Sequence, residues 1–179
     1  MVNEYFDLIT YGGTAEYYIF ELANFSALAF LLLISYKLKF IQINSLIVWF
    51  VLFFSPLVFN YFLFLPGLFG DQFQYAAEVM SQKTGRGNVS DVGSFLGDDS
   101  ISAVSLSTKI LGVVPLPNYM TVTSLAFANK LFLFITFLWF KKFFNDENEV
   151  LVYFLIPSLV LYSSLALRDT LIIVLSIVF

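Results

Sequence analysis

The sequence contains no cysteine and no histidine. The absence of cysteine excludes disulfide bonds, thiol chemistry and thiolate metal sites. The absence of histidine removes the most common general base, the most common metal ligand and the simplest pH-sensitive group. Any acid–base or metal chemistry must therefore use carboxylates, tyrosine, lysine or an ion held by oxygen ligands.

Charged residues are also scarce, at 12% of the 179-residue chain, whereas hydrophobic residues reach 59%. Soluble domains carry about 25% charged residues. A domain of about 150 residues buries only about 70% of its unfolded surface, so a core cannot hide this excess of apolar side chains. We therefore predict an integral membrane protein in contact with a lipid bilayer. The net charge of −4 and the scattered basic residues argue against a nucleic-acid partner.

Apolar runs long enough to cross a bilayer core, roughly 20 helical residues, recur along the chain. We predict one all-α polytopic transmembrane domain over residues 1–179, with interfacial helices in a large outer loop at 66–120. A run at 170–179 would form only about 15 Å of helix, so we expect a fragment truncated at its carboxyl terminus. A re-entrant half-helix is the alternative. The four predicted spans and the start of a fifth cover residues 17–36, 44–65, 121–140, 150–166 and 170–179.

Basic residues in the short connectors predict the orientation. Lys37 and Lys39 follow the first span, and Lys141 and Lys142 follow the third. Such residues concentrate on the cytoplasmic side of a membrane. Both connectors fall on one side by span parity, so the amino terminus and the loop at 66–120 are expected outside.

The long polar interval contains a stretch rich in carboxylates and amides at residues 70–78. Asp71 suits a helix N-cap, and Tyr75 and Glu78 follow it at helical spacing on one face. The other face is apolar, so we predict an amphipathic interfacial helix. It would present two carboxylates about 10 Å apart, with Tyr75 between them. A plain solvated face, with Asp71 only as a cap, is the competing interpretation.

Two further places put charge at membrane level, where it is expensive and usually faces protein or water. Arg168 and Asp169 interrupt the last apolar part of the chain, and the Arg168 fork suits a phosphate or carboxylate. An interfacial pair closing a hairpin is the alternative. Lys130 lies inside the third span and needs a partner, for which Glu21 or Asn24 are candidates. A contact with a lipid phosphate is the other possibility.

Residues 70–75 and 157–169 resemble segments of membrane-embedded glycosyltransferases of the GT-C superclass and of bacterial exopolysaccharide and O-antigen polymerases. In such enzymes an acidic residue opening a large outer loop is catalytic or binds a metal, and a later basic residue contacts lipid-linked phosphates. The resemblance implies Asp71 as general base or ligand of a divalent cation, and Arg168 as phosphate anchor. Glu78 and Tyr75 would position sugar hydroxyls. One departure is that GT-C enzymes usually place this loop after the first span, not the second.

We therefore expect an enzyme of the bacterial inner membrane that transfers or polymerises sugars from a polyprenyl-phosphate-linked donor. Its substrate-binding residues would include Arg168, Asp169 and Lys130. No residue set predicts a metal site, because Asp98 and Asp99 alone are typical of a solvated turn. The alternatives are a transporter or flippase with charged groups along a pathway, and a non-enzymatic assembly subunit that binds other membrane proteins.

Overall fold

The computed structural model describes residues 15–63, 79, 121–144, 146–165, 170 and 174. This part of the chain is helical and contains no strand, which confirms the all-α prediction for it. A π-helical turn, Phe59–Leu63, extends the second helix, and a short 3₁₀ turn, Lys141–Phe143, follows the third. The α-helices are α1 (Ala15–Lys37), α2 (Ile43–Val58), α3 (Val122–Phe140), α4 (Glu147–Phe154) and α5 (Pro157–Ser164).

Three helices are long and apolar enough to cross a membrane, and they coincide with the first three predicted spans. They run over Ile19–Lys37, Ile43–Leu63 and Val122–Phe143, with 19, 21 and 22 residues. At about 1.5 Å per residue, each matches a bilayer core of about 30 Å. Only 28% of the first two spans is buried in the protein, against 78% of the third. The third therefore lies at the centre, and the first two present apolar side chains outward, as a membrane protein does.

The predicted fourth span at residues 150–166 consists of two eight-residue helices, α4 and α5. Leu155 and Ile156 separate them, and Pro157 is the first residue of α5. Proline has no amide hydrogen and disfavours a helical residue before it, so the break falls at this point. Each piece is about 12 Å long, which is too short to cross a bilayer alone. Of the predicted fifth span at 170–179, only Thr170 and Val174 are described.

Aromatic side chains fill the centre of the bundle. Trp49 on α2 is fully buried, and its ring lies 5.1 Å from that of Phe134 and 5.4 Å from that of Phe137, both on α3. Phe154 on α4 completes the cluster, 5.9 Å from Trp49. In lipid, helices associate through close packing more than through the hydrophobic effect, because lipid tails are equally apolar. This cluster therefore holds α2, α3 and α4 together.

A buried carboxylate ties the two short connectors to each other. Glu147 accepts hydrogen bonds from the backbone amide of Gln42 at 2.9 Å and from the Ser45 hydroxyl. It also forms an ion pair with Lys141 at 2.8 Å. Burial alone would raise the pKa of Glu147, but the bonds from Lys141, Ser45 and Gln42 and the Lys141 charge outweigh it and lower that pKa. We call this side of the bundle the connector end, and the side of Leu63 and Thr121 the loop end.

Candidate functional site

Polar side chains are buried along the loop-end half of the bundle, where an apolar interior would be expected. Each such group in a membrane must find a partner, because lipid supplies none. The buried polar residues of this region, which we call the polar seam, are Glu21, Asn24, Ser55, Asn60, Thr121, Thr123, Ser124, Asn129, Lys130, Ser163 and Ser164.

The first part of the polar seam is centred on Glu21, which is 1% exposed. The Thr121 hydroxyl donates to one carboxylate oxygen at 2.7 Å, and the Tyr61 hydroxyl donates to the other. Tyr61 lies shortly before the predicted loop at 66–120, and Thr121 directly follows it. The described chain on both sides of that loop is therefore bound to one carboxylate of α1.

Thr121 is also the N-cap of α3, because its hydroxyl oxygen accepts a bond from the Ser124 amide at 3.1 Å. This satisfies one of the amides that a helix start leaves without a partner. One turn along α1 from Glu21, the Asn24 amide donates to the Ser124 hydroxyl at 3.2 Å. The start of α3 is thus fixed to α1 by two separate polar contacts.

A local defect in α2 supplies the next polar groups. Pro56 has no amide hydrogen for the carbonyl of Leu52, and the Ser55 hydroxyl donates to that carbonyl instead, at 2.7 Å. Asn60 on the π-helical turn donates to the Pro56 carbonyl at 2.8 Å. The Ser55 hydroxyl also lies 2.8 Å from that of Ser164. Proline and the π-turn therefore turn this part of α2 into a polar face toward α5.

The second part of the polar seam surrounds the carboxyl end of α5. The last carbonyls of a helix have no partner within it, and together they carry a partial negative charge. Asn60 donates to the Ser164 carbonyl at 2.9 Å, and Asn129 donates to the Leu165 carbonyl at 3.0 Å. Two buried amides on neighbouring helices thus satisfy the end of α5 inside the bundle.

Lys130 completes this cap. Its ammonium group donates to the Ser163 hydroxyl at 2.7 Å and to the Val160 carbonyl at 3.2 Å, and the residue is 1% exposed. A cation beside a helix carboxyl end is stabilised by the helix dipole. Glu21 and Asn24, the candidate partners from the sequence, bind Thr121 and Ser124, and the described partners of the Lys130 ammonium group are on α5.

Five of the predicted site residues, Asp71, Tyr75, Glu78, Arg168 and Asp169, lie outside the described residues. Lys130 is the only one within them. The part of the chain that the structure covers contains no cluster of three or more side chains suited to a metal ion. Glu21 was named from the sequence only as a candidate partner of Lys130, and its hydroxyl partners Tyr61 and Thr121 were not predicted.

No family model, curated protein or solved structure matches the chain. Interpretation of the polar seam therefore depends on its own chemistry. Glu21 and Lys130 are both buried. Glu21 accepts hydrogen bonds from Tyr61 and Thr121, and Lys130 donates hydrogen bonds to α5. In this arrangement they hold Tyr61, Thr121 and the carboxyl end of α5 within the bundle.

Proposed function

We propose that the protein is a membrane-embedded glycosyltransferase or polysaccharide polymerase. It would take sugars from a polyprenyl-phosphate-linked donor on the outer face of a bacterial inner membrane. The proposal includes a fourth crossing formed by α4 and α5 together, a fifth beginning near residue 170, and an outward amino terminus and loop.

The observation that supports this proposal is the joint anchoring of the loop ends by Glu21. Because Tyr61 and Thr121 bind the same carboxylate, the chain on the two sides of the predicted loop at 66–120 is held at one place. A large loop closed in this way can cover the loop end of the bundle, where the head group of a lipid donor would lie. The acidic residues of the loop would then be held close to the donor head group.

The anchoring of the α5 end supports the role proposed for Arg168. Leu165 is held by Asn129, and Arg168 follows three residues later, a reach of at most about 11 Å. Asn60 holds the neighbouring carbonyl and belongs to the same π-helical turn that leads into the loop. The chain segments that carry Asp71 and Arg168 thus depart from adjoining parts of the polar seam.

In the proposed reaction, an acceptor hydroxyl attacks the anomeric carbon of the donor sugar. Asp71 takes the proton of that hydroxyl; a divalent cation, if Asp71 held one, would supply charge stabilisation for the leaving phosphate. The bond between the sugar and the lipid phosphate breaks, and Arg168 neutralises the charge left on the phosphate. Glu78 and Tyr75 position sugar hydroxyls, and Asp169 orients Arg168.

The test uses Asp71→Asn and Arg168→Ala in the full chain, expressed in its own cells. Asp91→Asn, in the same loop, is the matched control. Loss of a general base lowers a rate by about 100-fold or more. We expect both variants to abolish glycan assembly at normal protein levels while the control retains it. Unchanged assembly in both variants would refute the proposed roles.

A transporter is the second candidate, favoured by the break between α4 and α5. Interrupted helices in a membrane often border a binding site, with half-helix ends facing the ligand. Lys130, at the carboxyl end of α5, would then line the pathway of the transported ligand. Under that hypothesis Lys130→Met stops transport and Asp71→Asn does not, which is the opposite of what sugar transfer predicts.

A further inference from the structure

A shallow cleft of about 520 Å³ lies at the connector end, on the side of the protein opposite the loop. It forms where the connector between α1 and α2 meets the connector between α3 and α4. None of its lining residues belongs to the polar seam. They include Tyr36, Lys37, Lys39, Gln42, Lys141 and Glu147.

The charges in this cleft are unequal, since three lysines face one carboxylate. Glu147 is already engaged with Lys141, which also donates to the Phe40 carbonyl. Lys37 and Lys39 are exposed, and neither ammonium forms a hydrogen bond or ion pair within the described part of the chain. The cleft therefore carries an excess of two positive charges directly at the ends of membrane-crossing helices.

Lys39 occupies an unusual backbone position. Helix α1 ends in a Schellman motif, in which the Phe40 amide bonds to the Ser35 carbonyl at 2.8 Å and the Lys39 amide to the Tyr36 carbonyl at 2.9 Å. The motif requires a left-handed residue, and Lys39 has a φ of 60°. Glycine is preferred there because any Cβ is unfavourable in this conformation. A lysine at this position thus adds charge to the cleft at a cost to the helix end.

We propose that this cleft binds a phosphate group at the membrane surface. Lysine ammonium groups bind phosphate as compact point charges, and basic pockets between helix ends are suited to phosphate head groups. Tyr36 beside the cleft has the amphipathic character of residues at the membrane interface. The phosphate can belong to an anionic lipid or to a soluble compound. This proposal does not depend on sugar transfer at the loop end.

The test compares the full chain in nanodiscs of phosphatidylcholine with nanodiscs that contain equal parts of phosphatidylcholine and phosphatidylglycerol. Native mass spectrometry measures the phosphatidylglycerol retained, and calorimetry with inorganic pyrophosphate measures a soluble ligand. The variant K37Q/K39Q should weaken binding of the preferred ligand roughly 30-fold. The matched control is Lys142→Gln, an exposed lysine at the connector end, between α3 and α4, that does not line the cleft, and it should have little effect.

Lys39→Gly separates binding from a purely structural role. It should raise the unfolding temperature, because glycine suits the left-handed position, and still weaken binding of the phosphate ligand. Equal binding by the wild type and K37Q/K39Q would overturn the proposal. An equal loss in Lys142→Gln would also overturn it, because that result indicates diffuse attraction to a charged surface instead of a site.

Discussion

Replacing Glu21 by glutamine and Tyr61 by phenylalanine, singly and together, tests whether one carboxylate holds the loop. A hydrogen bond to a charged group contributes about 1.5–3 kcal/mol. Measured couplings between helices in a membrane are smaller, near 0.6 kcal/mol on average. The coupling energy is the difference between the effect of the double substitution and the sum of the two single effects. Because Glu21 is 1% exposed and accepts hydrogen bonds from Tyr61 and Thr121, we expect a coupling energy of about 1.5 kcal/mol between Glu21→Gln and Tyr61→Phe.

The free energy of unfolding can be followed in mixed micelles through tryptophan fluorescence, since fully buried Trp49 lies inside the aromatic cluster. Tyr162→Phe is the matched control, because Tyr162 is 37% exposed and lies on α5, away from Glu21. Its coupling with Glu21→Gln should be close to zero. A coupling below about 0.3 kcal/mol between Glu21 and Tyr61 would show that the two sites are independent and that the contact does not hold the loop.

Three further predictions concern other parts of the chain. Lys130→Met should lower the free energy of unfolding by about 1–3 kcal/mol, because the Ser163 hydroxyl and the Val160 carbonyl lose a buried donor, and should preserve glycan assembly at matched protein levels; an unchanged free energy of unfolding would contradict the capping role. Glu147 has a lowered pKa, so its stabilisation is complete above its ordinary pKa of 4.5 and is lost as pH falls through the lower, folded value. Glu147→Gln should flatten stability against pH in that acidic range, and an unchanged profile would contradict the connector network. Since the chain has no cysteine, Asp71→Cys should react with an impermeant maleimide in intact cells and Lys39→Cys only after permeabilisation; the reverse pattern would overturn the proposed orientation.

The three long apolar helices could be predicted because hydropathy is a local property. Each run is about as long as a bilayer core is thick, and no distant contact is needed to recognise it. The break before Pro157 also has a local cause. It was not predicted, because a continuous apolar composition does not distinguish one helix from two. The predicted fourth span was therefore not confirmed as a single helix.

The partners of the buried charges could not be predicted in the same way. Thr121 is 100 residues from Glu21 in the chain, and Tyr61 is 40 residues from it. Hydroxyl groups leave no periodic pattern that would connect such positions. Glu21 and Asn24 were candidate partners for Lys130 in the sequence, but its acceptors, the Val160 carbonyl and the Ser163 hydroxyl, lie at the carboxyl end of α5, which the apolar run does not mark.

The most direct test of the proposed function is sugar transfer by the purified full chain in proteoliposomes supplied with a polyprenyl-phosphate-linked sugar and a glycan acceptor. The account predicts transfer by the wild type and by Asp91→Asn. It also predicts a rate lower by about 100-fold or more for Asp71→Asn, the loss expected when a general base is removed. Equal transfer by Asp71→Asn and the wild type would contradict it.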